Sequence, residues 1–110
     1  MFITEMKKEG IKILELNGRI DATADNFESE LKEMTGNELK ILVDCGNLNY
    51  INSAGLRIFL STMKDVTKKQ GKLIITNLQE NIKEIFRISG FLQLFEVYDT
   101  RDEALKHFLL

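Results

Sequence analysis

Apolar residues along the chain alternate between short runs at strand spacing and longer stretches at helical spacing. Residues 2–6 (FITEM) and 11–16 (IKILEL) have strand patterning and are joined by KKEG, where Gly10 can adopt the positive φ of a tight turn; the two should pair antiparallel. In the stretch that follows, Phe27, Leu31 and Met34 fall at i, i+4 and i+7, which predicts an amphipathic helix of about three turns. Asp21 or Thr23 is placed to cap this helix and Gly36 to end it.

The segment 39–46 (LKILVDCG) carries Ile41, Leu42 and Val43 in succession, the pattern of a strand covered on both faces, and 47–52 (NLNYIN) reads as a loop. Ser53 is placed to cap a second helix, in which Leu56, Phe59, Leu60 and Met63 repeat at i, i+3, i+4 and i+7. Arg57, Lys64, Asp65 and Lys68 take its wet side and Gly71 closes it. Residues 72–76 (KLIIT) form a further buried strand. Asn77 with Glu80 makes a capping box for a third helix stopped by Gly90. Residues 94–99 (LFEVYD) read as the last strand, and Thr100 with Glu103 repeats the capping box for a helix through Phe108.

The order β-β-α-β-α-β-α-β-α, with short connections, predicts an α/β fold: a mostly parallel sheet of four to five strands with an antiparallel N-terminal strand. Right-handed crossovers between successive neighbours would wind about four helices mainly onto one face. That leaves the doubly covered look of residues 41–43 and 73–75 to be explained by N-terminal strands curling over the other face or by a partner.

The 110 residues fit one domain spanning 1–110. A net charge of −2 and no cationic cluster argue against nucleic acid as partner. Cys45 alone can make no internal disulfide, and no apolar run approaches the roughly 20 residues of a membrane span. The opening MFITEMKKEG has no apolar stretch behind a basic start, so the expected compartment is the cytoplasm.

Searches for catalytic patterns return little. His107 lies near the end of the last helix, where a solvated or dipole-favoured residue is expected. Cys45 follows a buried strand and has no Lys or Arg beside it in sequence, the setting of a small hydrophobe. There is no GxSxG, P-loop or GxGxxG, and no cofactor or metal is expected. A receiver-type phosphoacceptor at Asp44 would need an acidic pair after the first parallel strand, which ILELNGR does not offer; Asp44 reads as a turn residue or backbone acceptor.

One place holds chemistry. Asn52-Ser53-Ala54-Gly55 opens a helix, and Gly55 costs up to about 1 kcal/mol there relative to Ala. Small side chains at such a point bare the backbone N–H groups and the Ser53 hydroxyl to an approaching phosphate or protein. A phosphate on Ser53 would add about −1.5 to −2 charge units beside the positive end of the helix dipole, leaving the fold intact while opposing any docked partner.

These residues also carry a resemblance. Asp44–Leu56, with Gly18-Arg19-Ile20-Asp21-Ala22 before the first helix, resembles the bacterial anti-sigma factor antagonists, small STAS-domain proteins, and the likeness extends over essentially the whole chain. Its most specific element is Tyr50-Ile51-Asn52-Ser53-Ala54-Gly55-Leu56, similar to the family's loop around a phosphorylated serine. The resemblance implies a STAS fold and a non-enzymatic switch. The unphosphorylated form binds an anti-sigma factor, itself a serine kinase that binds the ATP, and frees a sigma factor; phosphorylation releases the antagonist and a serine phosphatase restores it. By position Ser53 matches the phosphoacceptor and Asp21 an acidic residue beside it. Asn52, Ala54, Gly55 and Leu56 match the contact loop, with Thr23, Tyr50 and Arg57 next to them on the partner-binding surface. The family often has Asp where this chain has Asn52, which lowers the local negative charge. The alternative on the same fold is a STAS module of a sensory or lipid-transport assembly in which the serine is not phosphorylated.

Overall fold

The computed structural model describes residues 3–21 and 26–109; the expected strand start at Phe2 and the Thr23 cap lie outside them. β1 (Ile3–Lys8) and β2 (Ile11–Ile20) form the antiparallel hairpin read from the sequence. Both turn residues, Glu9 and Gly10, have positive φ (52° and 80°), the combination whose twist matches that of the flanking strands. Then come α1 (Phe27–Thr35), β3 (Lys40–Ile51), α2 (Ser53–Lys68), β4 (Lys72–Thr76), α3 (Glu80–Ile88), a short 3-10 turn (Phe91–Gln93), β5 (Glu96–Tyr98) and α4 (Arg101–Phe108).

The strands lie in chain order β1-β2-β3-β4-β5, with β2 through β5 parallel. Alternation along each strand sends Leu14, Leu16, Ile41, Val43, Leu73 and Ile75 into a core with Phe27 and Leu31 of α1, Leu56 and Phe59 of α2, and Ile82 and Phe86 of α3. Aromatic rings knit these helices together: Phe27 meets Phe59 edge-on at 5.8 Å between centroids, and Phe59 meets Phe86 at 6.3 Å. The intervening residues Ile11, Ile13, Leu42 and Ile74 face a second core closed by Ala104 and Phe108 of α4. Three helices thus cover one face and α4 covers the other. The doubly buried strands are explained by the chain's own last helix, and neither curled N-terminal strands nor a partner is required.

Several local expectations change. β3 does not stop at Gly46: residues 47–51 continue the strand, pairing with Asn17–Ile20 of β2 through two register shifts. Those irregularities break the alternation, so that Leu48 and Ile51 are buried while Asn47 and Asn49 are exposed, and the segment reads as a loop. β5 is only three residues because Leu94 follows directly on the 3-10 turn. The N-cap of α1 is Asn26, without a side-chain cap bond, and the C-cap of α2 is Lys69, two residues before Gly71. The Asn77–Glu80 box is not formed. Asn77 has a left-handed φ of 61° and donates its amide to both Asp44 oxygens at 3.1 Å, leaving Gln79 as the N-cap. The Thr100 box forms its first half, with Thr100 Oγ1 accepting from the Glu103 N–H at 3.1 Å.

Asp44 is the anchor of this region. Only 7% exposed, it accepts from the Gly46 N–H at 2.9 Å and from Arg101 Nη2 at 2.7 Å, and Arg101 also reaches Glu15 at 3.0 Å. Burial alone would lower the Arg101 pKa, but the hydrogen bonds and charges of Asp44 and Glu15 outweigh it and hold the guanidinium protonated. The first residue of α4 is thereby tied to β2 and β3.

Candidate functional site

The parallel strands β2 and β3 run out together past the end of β4, with Ile20 paired to Ile51. The chain then turns: the Asn52 N–H donates to the Ile20 carbonyl at 2.9 Å, and α2 begins at Ser53. Asn52 rather than Ser53 is the N-cap. Its backbone is extended (φ −92°, ψ 178°) and its Oδ1 accepts from the Gly55 N–H at 2.8 Å. Ser53 is therefore the first helical residue, exposed, and its hydroxyl has no hydrogen-bond partner among the described residues. Ala54 beside it is exposed, and no acidic side chain occupies the first turn of α2 itself.

Gly55 has a different reason from the one its sequence suggests. It is buried, its N–H is already used by Asn52, and a Cβ there would lie 2.7 Å from Ile20 Cγ2 and 2.8 Å from Ile51 Cγ1. The missing side chain lets α2 press onto the ends of β2 and β3. Leu56, 6% exposed, is likewise a core residue beneath the turn, with little surface left for the direct partner contact expected of it.

Around the helix start, Tyr50 is half-buried with the Arg19 guanidinium 4.5 Å above its ring, and Arg19 Nε pairs with Asp21 at 3.2 Å. Asp21 immediately follows the residue that receives the Asn52 bond, so the structure brings the Asp21 turn and the Ser53 turn to one edge. Arg57 is exposed one helical turn beyond Ser53. Thr23 lies outside the described residues. Arg19 entered the sequence reading only as part of the stretch that begins at Gly18 and was given no role there; the register that sets it opposite Tyr50 reveals its contact.

The other chemical candidates fall away. Burial, with a smaller contribution from Asp44, pushes the Cys45 thiol far up, which makes it an inert core residue. His107 is not simply solvated: it is half-buried and stacks on Tyr98 at 4.1 Å between ring centroids. No group of three or more His, Cys, Asp or Glu that could hold a metal gathers among the described residues, and among them no helix is long and apolar enough to cross a membrane.

The mixed sheet, with three helices on one face and one on the other, thus presents an exposed serine at a helix start on the same edge as Arg19, Asp21 and Tyr50. The chain matches the STAS domain family over residues 3–104 and belongs to it. It is 37% identical over 110 residues to BtrV of Bordetella bronchiseptica, provisionally named an anti-sigma factor antagonist, covering 98% of this chain and 95% of that one. An anti-sigma factor antagonist from Mycobacterium paratuberculosis has the same fold, with a TM-score of 0.86 at 20% identity over 96% of this chain and 91% of the other. The fold is also that of Bacillus SpoIIAA in its phosphorylated form, with a TM-score of 0.70 at 19% identity, covering 96% and 98%. The name of BtrV is that of a regulator and not of an enzyme, in line with the non-enzymatic expectation.

Proposed function

We propose that the protein is an anti-sigma factor antagonist whose unphosphorylated form docks on an anti-sigma factor serine kinase in the cytoplasm and so frees a sigma factor. The observation that carries this is the exposed Ser53 hydroxyl, relieved of capping by Asn52 and set at a helix N-terminus with no acidic residue in its own first turn. In the switching step Ser53 Oγ forms a bond to the γ-phosphorus of ATP held by the partner. The bond from that phosphorus to the bridging oxygen breaks, ADP leaves, and the hydroxyl proton passes to a base of the kinase.

The product carries about −1.5 to −2 charge units. At the helix start this charge gains roughly 0.3–1 kcal/mol from the dipole, whereas a docked partner must desolvate or expel it. Each ~1.4 kcal/mol of that penalty raises Kd tenfold, so the complex separates while the scaffold stays folded. A serine phosphatase returns the hydroxyl. Asp21, Thr23, Tyr50, Asn52, Ala54 and Arg57 complete the docking edge, with Gly55 and Leu56 supporting it from below. Asn52 in place of Asp keeps the cap bond through its Oδ1, so the neutral residue supports the same turn. The name of BtrV supports the antagonist role.

The test is the intact mass after incubation with the anti-sigma factor and ATP. One phosphoryl group on the wild type and none on Ser53→Ala supports the reading. Unchanged phosphorylation of Ser53→Ala removes Ser53 from the mechanism, and tight binding with no phosphorylation fits the constitutive interaction module.

A further inference from the structure

The outer face of α2 carries charge that the fold itself does not use. Positions 53, 57, 61, 64 and 68 are separated by four, four, three and four residues, so Ser53, Arg57, Ser61, Lys64 and Lys68 form one stripe along the helix. At 1.5 Å per residue the stripe is about 22 Å long. Arg57, Lys64 and Lys68 are exposed and border a shallow groove of about 350 Å³ with half-buried Leu60 and Ser61 and a single carboxylate, Asp65.

The other arginines, Arg19, Arg87 and Arg101, all sit in ion pairs. Neither Arg57 nor the two lysines of the stripe forms one among the described residues. The excess stands out against a chain whose net charge is −2.

We propose that the docking surface continues from Ser53 down α2 through Arg57, Lys64 and Lys68, and that the anti-sigma factor meets this stripe with an acidic surface. The inference rests on the antagonist reading and adds the partner's chemistry to it. Two arguments favour an acidic protein over a polyanion. Three cations on an acidic chain are too few to neutralise a nucleic acid or a lipid surface. An acidic partner also gives the switch its direction: a dianion on Ser53 repels it directly and, at i to i+4 spacing, recruits Arg57 into an intrahelical pair that withdraws the first cation of the stripe.

The experiment titrates the anti-sigma factor of the same organism with wild type, with Lys64→Glu/Lys68→Glu, and with the milder Lys64→Gln/Lys68→Gln, each melted alone to verify the fold. Both lysines are exposed, so the melts should coincide. The charge reversal should raise Kd about tenfold or more at low salt, and the neutral pair less. Raising salt from about 50 to about 500 mM should weaken the wild type and leave the reversed variant nearly unchanged.

Equal affinities of the three proteins, with wild type binding, overturn the stripe and leave the antagonist reading standing. Failure of wild type to bind the anti-sigma factor overturns both. Lysine-dependent binding to duplex DNA or phosphatidylglycerol vesicles, with the anti-sigma factor indifferent to the lysines, overturns the acidic-protein assignment.

Discussion

Gly55→Ala separates two physical accounts of the helix start by the sign of its effect. If the glycine serves only to bare the backbone, alanine should stabilise α2 by up to about 1 kcal/mol through helix propensity. In the structure the new methyl would stand 2.7 Å from Ile20 Cγ2 and 2.8 Å from Ile51 Cγ1. Both isoleucines are 2% exposed and their branched side chains are packed at the strand ends, so they have little room to retreat. Overpacking of this kind costs about 1–3 kcal/mol, and contacts this short fall in the upper half of that range. Subtracting the propensity gain leaves a net loss of about 1–2 kcal/mol. For a domain of this size, with a urea m-value of about 2 kcal/mol/M, the midpoint should fall by about 0.5–1 M without a change in slope. The Asn52–Gly55 turn shifts with the helix, so binding of the anti-sigma factor should weaken as well. A midpoint that stays or rises refutes the close-packing account and restores the access account.

Asn52→Ala removes the cap bond and should cost about 1 kcal/mol, whereas Asn52→Asp keeps it and adds a favourable charge of about 0.3–1 kcal/mol at the dipole; paired urea titrations check the order Asp, Asn, Ala. Arg101→Ala leaves the buried Asp44 carboxylate with only the neutral donors Gly46 and Asn77 and should lower stability by about 2–3 kcal/mol, less than for a fully buried pair because those hydrogen bonds remain and Arg101 is itself 28% exposed; a loss under about 0.5 kcal/mol would refute the anchor. The Cys45 thiol, held protonated mainly by burial and secondarily by Asp44, retains its proton in the native state while the unfolded chain releases it, so stability should fall as pH rises above about 9. Cys45→Ala should flatten that slope in a series of denaturation curves.

Much of the fold was legible because it depends on local spacing. The hairpin, the apolar stripe of α2 and the Thr100 cap each follow from residues within one turn or two of each other. What escaped depends on partners distant in sequence. Residues 47–51 are strand only because β2 extends beside them, and the register shifts hide the alternation that would reveal it. Asn77 has the sequence of a capping residue but is claimed by Asp44, 33 residues earlier. Which face α4 covers is decided by Ala104 and Phe108 meeting Leu42 and Ile74, which connection lengths do not encode. At the candidate site, Ser53 and Asp21 were legible through their motif, whereas the cap exchange with Asn52, the packing role of Gly55 and the Arg19–Tyr50 contact required coordinates.

The central claim is that one phosphate at an uncovered helix start abolishes docking without disturbing the fold. Its most direct test is calorimetric titration of the anti-sigma factor with a single preparation of the protein before and after quantitative phosphorylation, with the modified residue mapped by mass spectrometry. The account predicts phosphate on Ser53 alone, a Kd raised at least about 100-fold, and a folding stability within about 1 kcal/mol of the unmodified chain. Equal affinity of the two forms, or phosphate carried elsewhere with Ser53 bare, would contradict it.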